Sequence, residues 1–280
     1  MICLQLTGKA GLMETGIDIT LFWIAFWGYL AAFPLFVVFA ATRGSMVERA
    51  ALLAFSVALL AHTAGIGFRW YYSSHMPIGN MFGYSLILSW LIAASFAALM
   101  AKFDISIAGA AVSPVIVIIF VISAFLPKEI SKHLMPALQS YWFYIHIILA
   151  AASECAFLIA AGGGGYYLVR RARTGGGFPE ADRVEGLIIK SIRIGYPLFT
   201  VGALFAGALW AWKAWGRFWS WDPKETGALV VWLFYTLLLH QQRRGKWQGS
   251  TLAIMAVVGF VIIILSFLGT LVLGGLHSYI

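Results

Sequence analysis

Five of the chain's twelve tryptophans fall between Trp210 and Trp221, in a run that reads W-A-W-K-A-W-G-R-F-W-S-W-D-P-K-E and ends at Glu225. Lys213, Arg217 and Lys224 are interleaved with them. An indole ring is large, flat and polarisable, carries a single N–H donor, and is at home where one end is dry and the other wet. A belt of interfacial aromatics uses about one or two rings per helix end, so five in one connection exceed what anchoring requires. The pattern fits a flat aromatic platform for a planar ligand, with cations at its rim for carboxylates. Asp222-Pro223-Lys224-Glu225 is also a helix start, with Asp as N-cap, Pro at the first helical position and Glu at the third. Capping alone is a sufficient reason for Asp222, whatever else it does.

The second set of chemically able residues is the six histidines, His62, His75, His133, His146, His240 and His277. Histidine inside an apolar span is uncommon and is a functional candidate by default. His146 lies a few residues into the fifth apolar run and His277 just past the eighth, which brings both to the depth of the tryptophan segment. Two neutral imidazoles facing each other across a flat macrocycle give iron a six-coordinate site. A histidine near a helix end serves equally well as an interfacial residue. His240 ends the seventh run beside Arg243 and Arg244. It stands about 22 Å of helix away from Glu225 and cannot share an iron with the other two. His62 and His133 are expected in packed or surface roles. Glu154, an unpaired acid deep in the fifth run, has no assigned role.

The elements that must position these groups are membrane helices. Hydrophobic residues make up 61% of the 280 positions and charged ones 11%, with a mean hydropathy of +0.88. That composition excludes a soluble enzyme and predicts an all-α, polytopic integral membrane helix bundle. The apolar runs fall at about 17–41, 50–70, 84–101, 105–126, 141–165, 195–214, 225–241 and 251–274, giving about eight transmembrane helices in a single domain over 1–280. The first run follows a weakly polar leader without the basic start of a cleaved signal peptide, so it is read as a mature helix. With eight spans, one set of connections carries twelve lysines and arginines and the other seven. The richer set belongs in the cytoplasm, which makes both termini and the loop 210–225 extracytoplasmic. The segment 166–194, with its T-G-G-G-F-P stretch, is expected to be a flexible cytoplasmic loop, and Gly162–Gly165 to end the fifth span. The net charge of +8 is accounted for by the inner loops and requires no nucleic acid. Cys3 and Cys155 form no C-x-x-C, so neither a thiol–disulfide role nor a c-type haem of the chain's own is encoded.

The stretch W-G-R-F-W-S-W-D-P-K-E-T, Trp215 to Thr226, resembles the tryptophan-rich WWD signature of haem-handling proteins. Its D-P-K-E-T ending is similar to that of the CcsA (ResC) family of system II cytochrome c biogenesis proteins. The similarity runs from about His75 to the C-terminus, with the closing G-L-H-S-Y at Gly275–Tyr279 as its other strong part. The resemblance implies a protein that binds haem b (iron protoporphyrin IX) at the extracytoplasmic face. It would present that haem, kept reduced, for thioether attachment to the CxxCH motif of apocytochrome c, as a subunit of a membrane holocytochrome-c synthase. It implies Trp215, Trp219 and Trp221 against the porphyrin, with Asp222, Arg217 and Lys213 completing the binding set. His146 and His277 match the family's two axial iron ligands. His240 matches a second haem site within the membrane, whose other ligand comes from another chain. His75 and Asn80 match a family segment G-H-x-P-x-x-N-x-Y-E-S, from which this chain departs at Gly83. The implied partners are a CcsB (ResB)-type membrane protein, a thiol-reducing protein and apocytochrome c, in the bacterial cytoplasmic membrane or its thylakoid equivalent. A haem transporter or chaperone without ligation activity is the alternative. A transporter of another substrate with an aromatic gate is a third reading, weakened by the scarcity of intramembrane acids and broken helices.

Overall fold

The computed structural model describes the backbone of residues 2–102, 105–130 and 134–273, with side chains from residue 16 to 266. His133, His277 and the closing G-L-H-S-Y lie outside the described residues. Every regular element among the described residues is helical. In chain order these are α1 (Ile2–Thr42), α2 (Ser45–Ser73), α3 (Met81–Met100), α4 (Gly109–Ala124), α5 (Tyr141–Thr174), α6 (Ala181–Phe199), α7 (Gly207–Trp215), α8 (Pro223–Arg243) and α9 (Gly249–Leu273). A helix satisfies all its backbone polar groups internally, which is what an apolar surrounding demands. Seven of the helical stretches are long and apolar enough to cross a membrane, with α6 and α7 forming one continuous rod from Ala181 to Trp215. The 21-residue α8 has the length but not the apolarity, because Lys224, Glu225, His240 and Arg243 sit at its ends.

The chain forms two compact units, 1–138 and 139–280. In the first, α1 and α2 pack so closely that a Cβ on Gly28 would stand 2.8 Å from that of Ala58. Its core is aromatic, with Phe22 stacked on Phe120 at 5.1 Å and Tyr29, Phe36, Phe55, Phe82 and Phe96 buried around them. His62 belongs to this core. Its Nε2–H donates to the Leu86 carbonyl at 3.1 Å, its Nδ1 faces the Tyr29 hydroxyl at 3.4 Å, and its ring lies edge-on to Phe120. Both nitrogens are used within the protein, so the packed role expected for His62 is the one it has.

At one end of this unit Arg69 pairs with Asp18, both side chains only 2% exposed. The guanidinium also donates to the carbonyls of Lys128 at 3.0 Å and Glu129 at 2.8 Å and lies over the Phe82 ring. Asn80 adds a second bond to the Glu129 carbonyl at 2.6 Å while its Oδ1 caps α3 by accepting from Gly83 N–H. Gly83 leaves no room for a Cβ against the Pro77 carbonyl, which accounts for the small residue at this position.

In the second unit α5 is central, packing on α6, α9 and the segment that joins α6 to α7. Its 34 residues span about 51 Å, more than the roughly 30 Å hydrocarbon thickness, so the turns carrying Arg170, Arg171 and Arg173 emerge into water. The expected flexible loop over 166–194 is therefore mostly helix, and only 175–180 is irregular. The physical reason lies in the glycines that read as a helix end. A Cβ on Gly163 would stand 3.1 Å from Ile188 of α6, and one on Gly164 would stand 2.5 Å from the Ala253 carbonyl of α9. They are notches for close helix packing rather than terminators. The first half of α6 continues the pattern, with Val184, Ile188, Ile189 and Ile192 in the core and Arg183, Lys190 and Arg193 on the outward side. The helix reverses at Gly175, whose φ of 69° suits glycine.

Removing one partner of a buried ion pair strands the other, at a cost of about 3–5 kcal/mol. Asp18→Ala is expected to lower unfolding stability by that amount, measured by thermal or SDS titration in micelles. Arg69→Lys should recover little, because an ammonium cannot also grip both carbonyls. A change below about 0.5 kcal/mol for Asp18→Ala would show that the pair is not what holds this end together.

Candidate functional site

The tryptophan segment is fixed at both ends by backbone chemistry. Gly216, at φ 73°, closes α7 by donating its N–H to the Trp212 carbonyl at 2.8 Å. Asp222 opens α8, its Oδ1 accepting from Lys224 N–H at 2.9 Å with Pro223 in the first turn. Glu225 reaches back to take the Ser220 N–H at 2.7 Å and the Ser220 hydroxyl at 3.0 Å. The loop between the two helices is thus held by α8 itself.

Within that frame the aromatic rings divide. Trp210 is buried, with Trp215 set against it at 4.9 Å and 61° and Phe143 of α5 at 5.2 Å. Trp219 and Trp221 meet edge-on at 5.8 Å and 87°. Trp221 takes φ 60°, a left-handed conformation that costs a bulky side chain about 1–2 kcal/mol, yet its ring is 71% exposed. A large apolar ring left uncovered on a strained backbone makes this stretch a candidate contact surface. The indole N–H of Trp219 is buried and has no acceptor among the described residues. Lys213 and Arg217 are exposed in the same segment of the chain.

His146 projects from α5 into the same arrangement. Its ring stacks on Trp210 at 5.8 Å with 15° between planes. Its Nδ1 lies 3.0 Å from the carbonyl oxygen of Gly202. A carbonyl only accepts, so Nδ1 carries the proton and Nε2 carries the lone pair. Gly202 sits in a π-helical stretch, Thr200–Ala206, which joins α6 to α7. Gly207 follows, and a Cβ there would stand 3.1 Å from His146 Nδ1. His146, Trp210, Trp215 and the capped loop carrying Trp219, Trp221 and Asp222 therefore belong to one unit of the fold.

The other candidates lie elsewhere. His240 is exposed at the far end of α8, on the side opposite the buried stripe of Val231, Tyr235 and Leu238, and shares its outward side with Val230, Leu233 and Leu237. His75 is in the first unit. Its Nδ1–H donates to the Met76 carbonyl at 2.8 Å, and its buried Nε2 has no partner among the described residues. Glu154 makes no hydrogen bond among the described residues, and Lys224 is the cation that acts on it electrostatically. Sequence reasoning missed Gly202, Gly207 and the contact of Trp210 with His146. Neither glycine carries a local signal, because each is required only by its contact with α5.

These features define a class of protein, a polytopic helical membrane protein with a tryptophan-lined histidine site. The family of cytochrome C assembly proteins matches residues 78–277. The cytochrome c biogenesis protein CcsA of Prochlorococcus marinus (strain NATL2A) is 33% identical, covering 93% of this chain and 94% of its own length. That of Guillardia theta is 31% identical, covering 80% and 83%. The chain belongs to the CcsA family of cytochrome c biogenesis proteins. Among solved structures, the cytochrome c haem lyase CcmF has a similar fold, with a TM-score of 0.68 at 16% identity over 93% of this chain and 49% of that one. The chain spans about half of that structure's length.

Asp222→Ala is expected to cost about 1 kcal/mol and Asp222→Ser to recover most of it, since serine also caps. Trp221→Gly separates stability from binding. It should leave the unfolding midpoint unchanged or higher, because the left-handed conformation no longer costs anything, while weakening binding of a planar ligand about ten- to a hundredfold. A lowered midpoint with unchanged binding would make Trp221 a packing residue.

Proposed function

We propose that this chain binds haem b at its tryptophan-lined site and presents it, reduced, for attachment to the CxxCH motif of apocytochrome c. The observation that carries the reading is His146, whose bond to Gly202 leaves Nε2 as the nitrogen able to coordinate iron. The residues fit the group. Trp215, Trp219 and Trp221 supply flat apolar faces, Trp221 uncovered and strained, and the indole N–H of Trp219 wants an acceptor such as a propionate oxygen. Lys213 and Arg217 are the exposed cations for the propionates. Asp222 acts through the fold, by capping the helix that holds the loop. His277 is the second axial ligand by family resemblance.

Haem, as substrate, supplies two vinyl groups, across each of which one thiol S–H of the incoming peptide adds. The chain's own part is positional. The indoles hold the plane and exclude water, the imidazoles occupy the iron's axial sites against oxygen, and vinyl and thiol are kept within reach of each other. A CcsB-type membrane protein and a thiol reductant complete the system. The site faces the extracytoplasmic side of the bacterial cytoplasmic membrane or its thylakoid equivalent, on the lysine and arginine distribution. His240, displayed outward at the other end of α8, supports a second haem contact completed by a partner chain, and with it a conduit that delivers haem without ligating it.

His146→Ala and His277→Ala are each expected to abolish cytochrome c maturation, with partial recovery on adding imidazole. Normal maturation by either variant would refute that ligand assignment. Reconstitution of the chain and its partner with haem and apocytochrome separates synthase from carrier. A synthase yields the haemochrome spectrum of thioether-linked haem, whereas a carrier yields only haem extractable by acidic acetone.

A further inference from the structure

The π-helical stretch between α6 and α7 has no explanation in membrane crossing, since an uninterrupted α-helix would span as well. Its location is informative. In a π turn the carbonyl of residue i receives the N–H of residue i+5, and Gly207 N–H does bond the Gly202 carbonyl. That same oxygen accepts from His146 Nδ1. Both glycines are required sterically. A Cβ on Gly202 would run into Leu149 and stand 2.9 Å from the Ala150 nitrogen, so only glycine lets this carbonyl come up to α5. A Cβ on Gly207 would press on the imidazole itself. Trp210, one turn further, closes the far side of the ring by stacking. One wide turn thus brings a carbonyl, an open space and an indole to a single histidine.

We propose that the Gly202 carbonyl, presented by this π turn, is a positioning group that fixes the His146 tautomer and strengthens Nε2 as an electron donor. The inference rests on the reading that His146 binds iron. A ligating imidazole whose other N–H is hydrogen-bonded to a carbonyl is held in one tautomer and one orientation and is the more basic ligand. A more basic ligand favours ferric over ferrous iron, so the bond sets the potential of bound haem downward. A lowered potential works against keeping the haem reduced, so the reducing equivalents must come from the thiol-reducing partner rather than from this site.

Two variants test this. Gly207→Ala pushes the ring off the carbonyl. Deleting Val201, which is exposed and contributes little packing, returns the wide turn to α-helical register and withdraws the oxygen. In haem-free protein, ¹⁵N NMR of histidine-labelled samples, with the signal assigned by His146→Gln, should show Nδ1–H for the parent and a mixture of tautomers for both variants. In haem-loaded protein both variants should keep a six-coordinate absorption spectrum while the midpoint potential rises. An Nε2–H tautomer in the parent, or a potential that ignores both variants, would overturn the inference. A haem spectrum unchanged by His146→Ala would overturn the reading beneath it as well, and so tells the two failures apart. If Gly207→Ala does not fold, the deletion and the parent tautomer decide.

Discussion

One hydrogen bond, from His146 Nδ1 to the Gly202 carbonyl, connects the fold of the second unit to its chemistry. For it to exist, α5 must carry a histidine near its start, and the neighbouring rod must open by one residue at that height. Glycine must stand at both ends of the opening. The bond then decides which imidazole nitrogen holds the lone pair. Trp210 stacks on that ring and Trp215 packs against Trp210, and the caps at Gly216, Asp222 and Glu225 hold Trp219 and Trp221 in the loop that follows α7.

His62 is the instructive contrast. It too is a histidine in an apolar helix, yet one nitrogen donates to a carbonyl and the other faces a tyrosine hydroxyl within a sealed aromatic core. The residue type is the same. His146 instead stacks on Trp210, in the unit whose loop carries the exposed, strained Trp221.

Much of this was legible in the residues, and the limits of legibility have physical causes. Hydropathy located the helices because apolar runs about twenty residues long have few other uses. The D-P-K-E signature gave the start of α8 because capping is local chemistry. The helical continuation through 166–174 and 181–194 was not legible. Gly163 and Gly164 look like breakers until Ile188 and Ala253 are known to press against them, and that contact is tertiary. The π turn was hidden for the same reason, since its stabilising contacts come from α5. The Asp18–Arg69 pair joins residues 51 apart, and nothing local in either marks the other. Of the two proposed axial histidines, His146 has its surroundings described, whereas His277 stands on family resemblance.

The most direct measurement is the absorption spectrum of the purified, haem-loaded protein in both redox states, compared with that of His146→Ala. Iron held by His146 Nε2 gives a low-spin six-coordinate spectrum in the parent. The alanine variant should lose it and regain it when imidazole is added. Haem bound with the same spectrum and the same affinity in the alanine variant would contradict the assignment of this site.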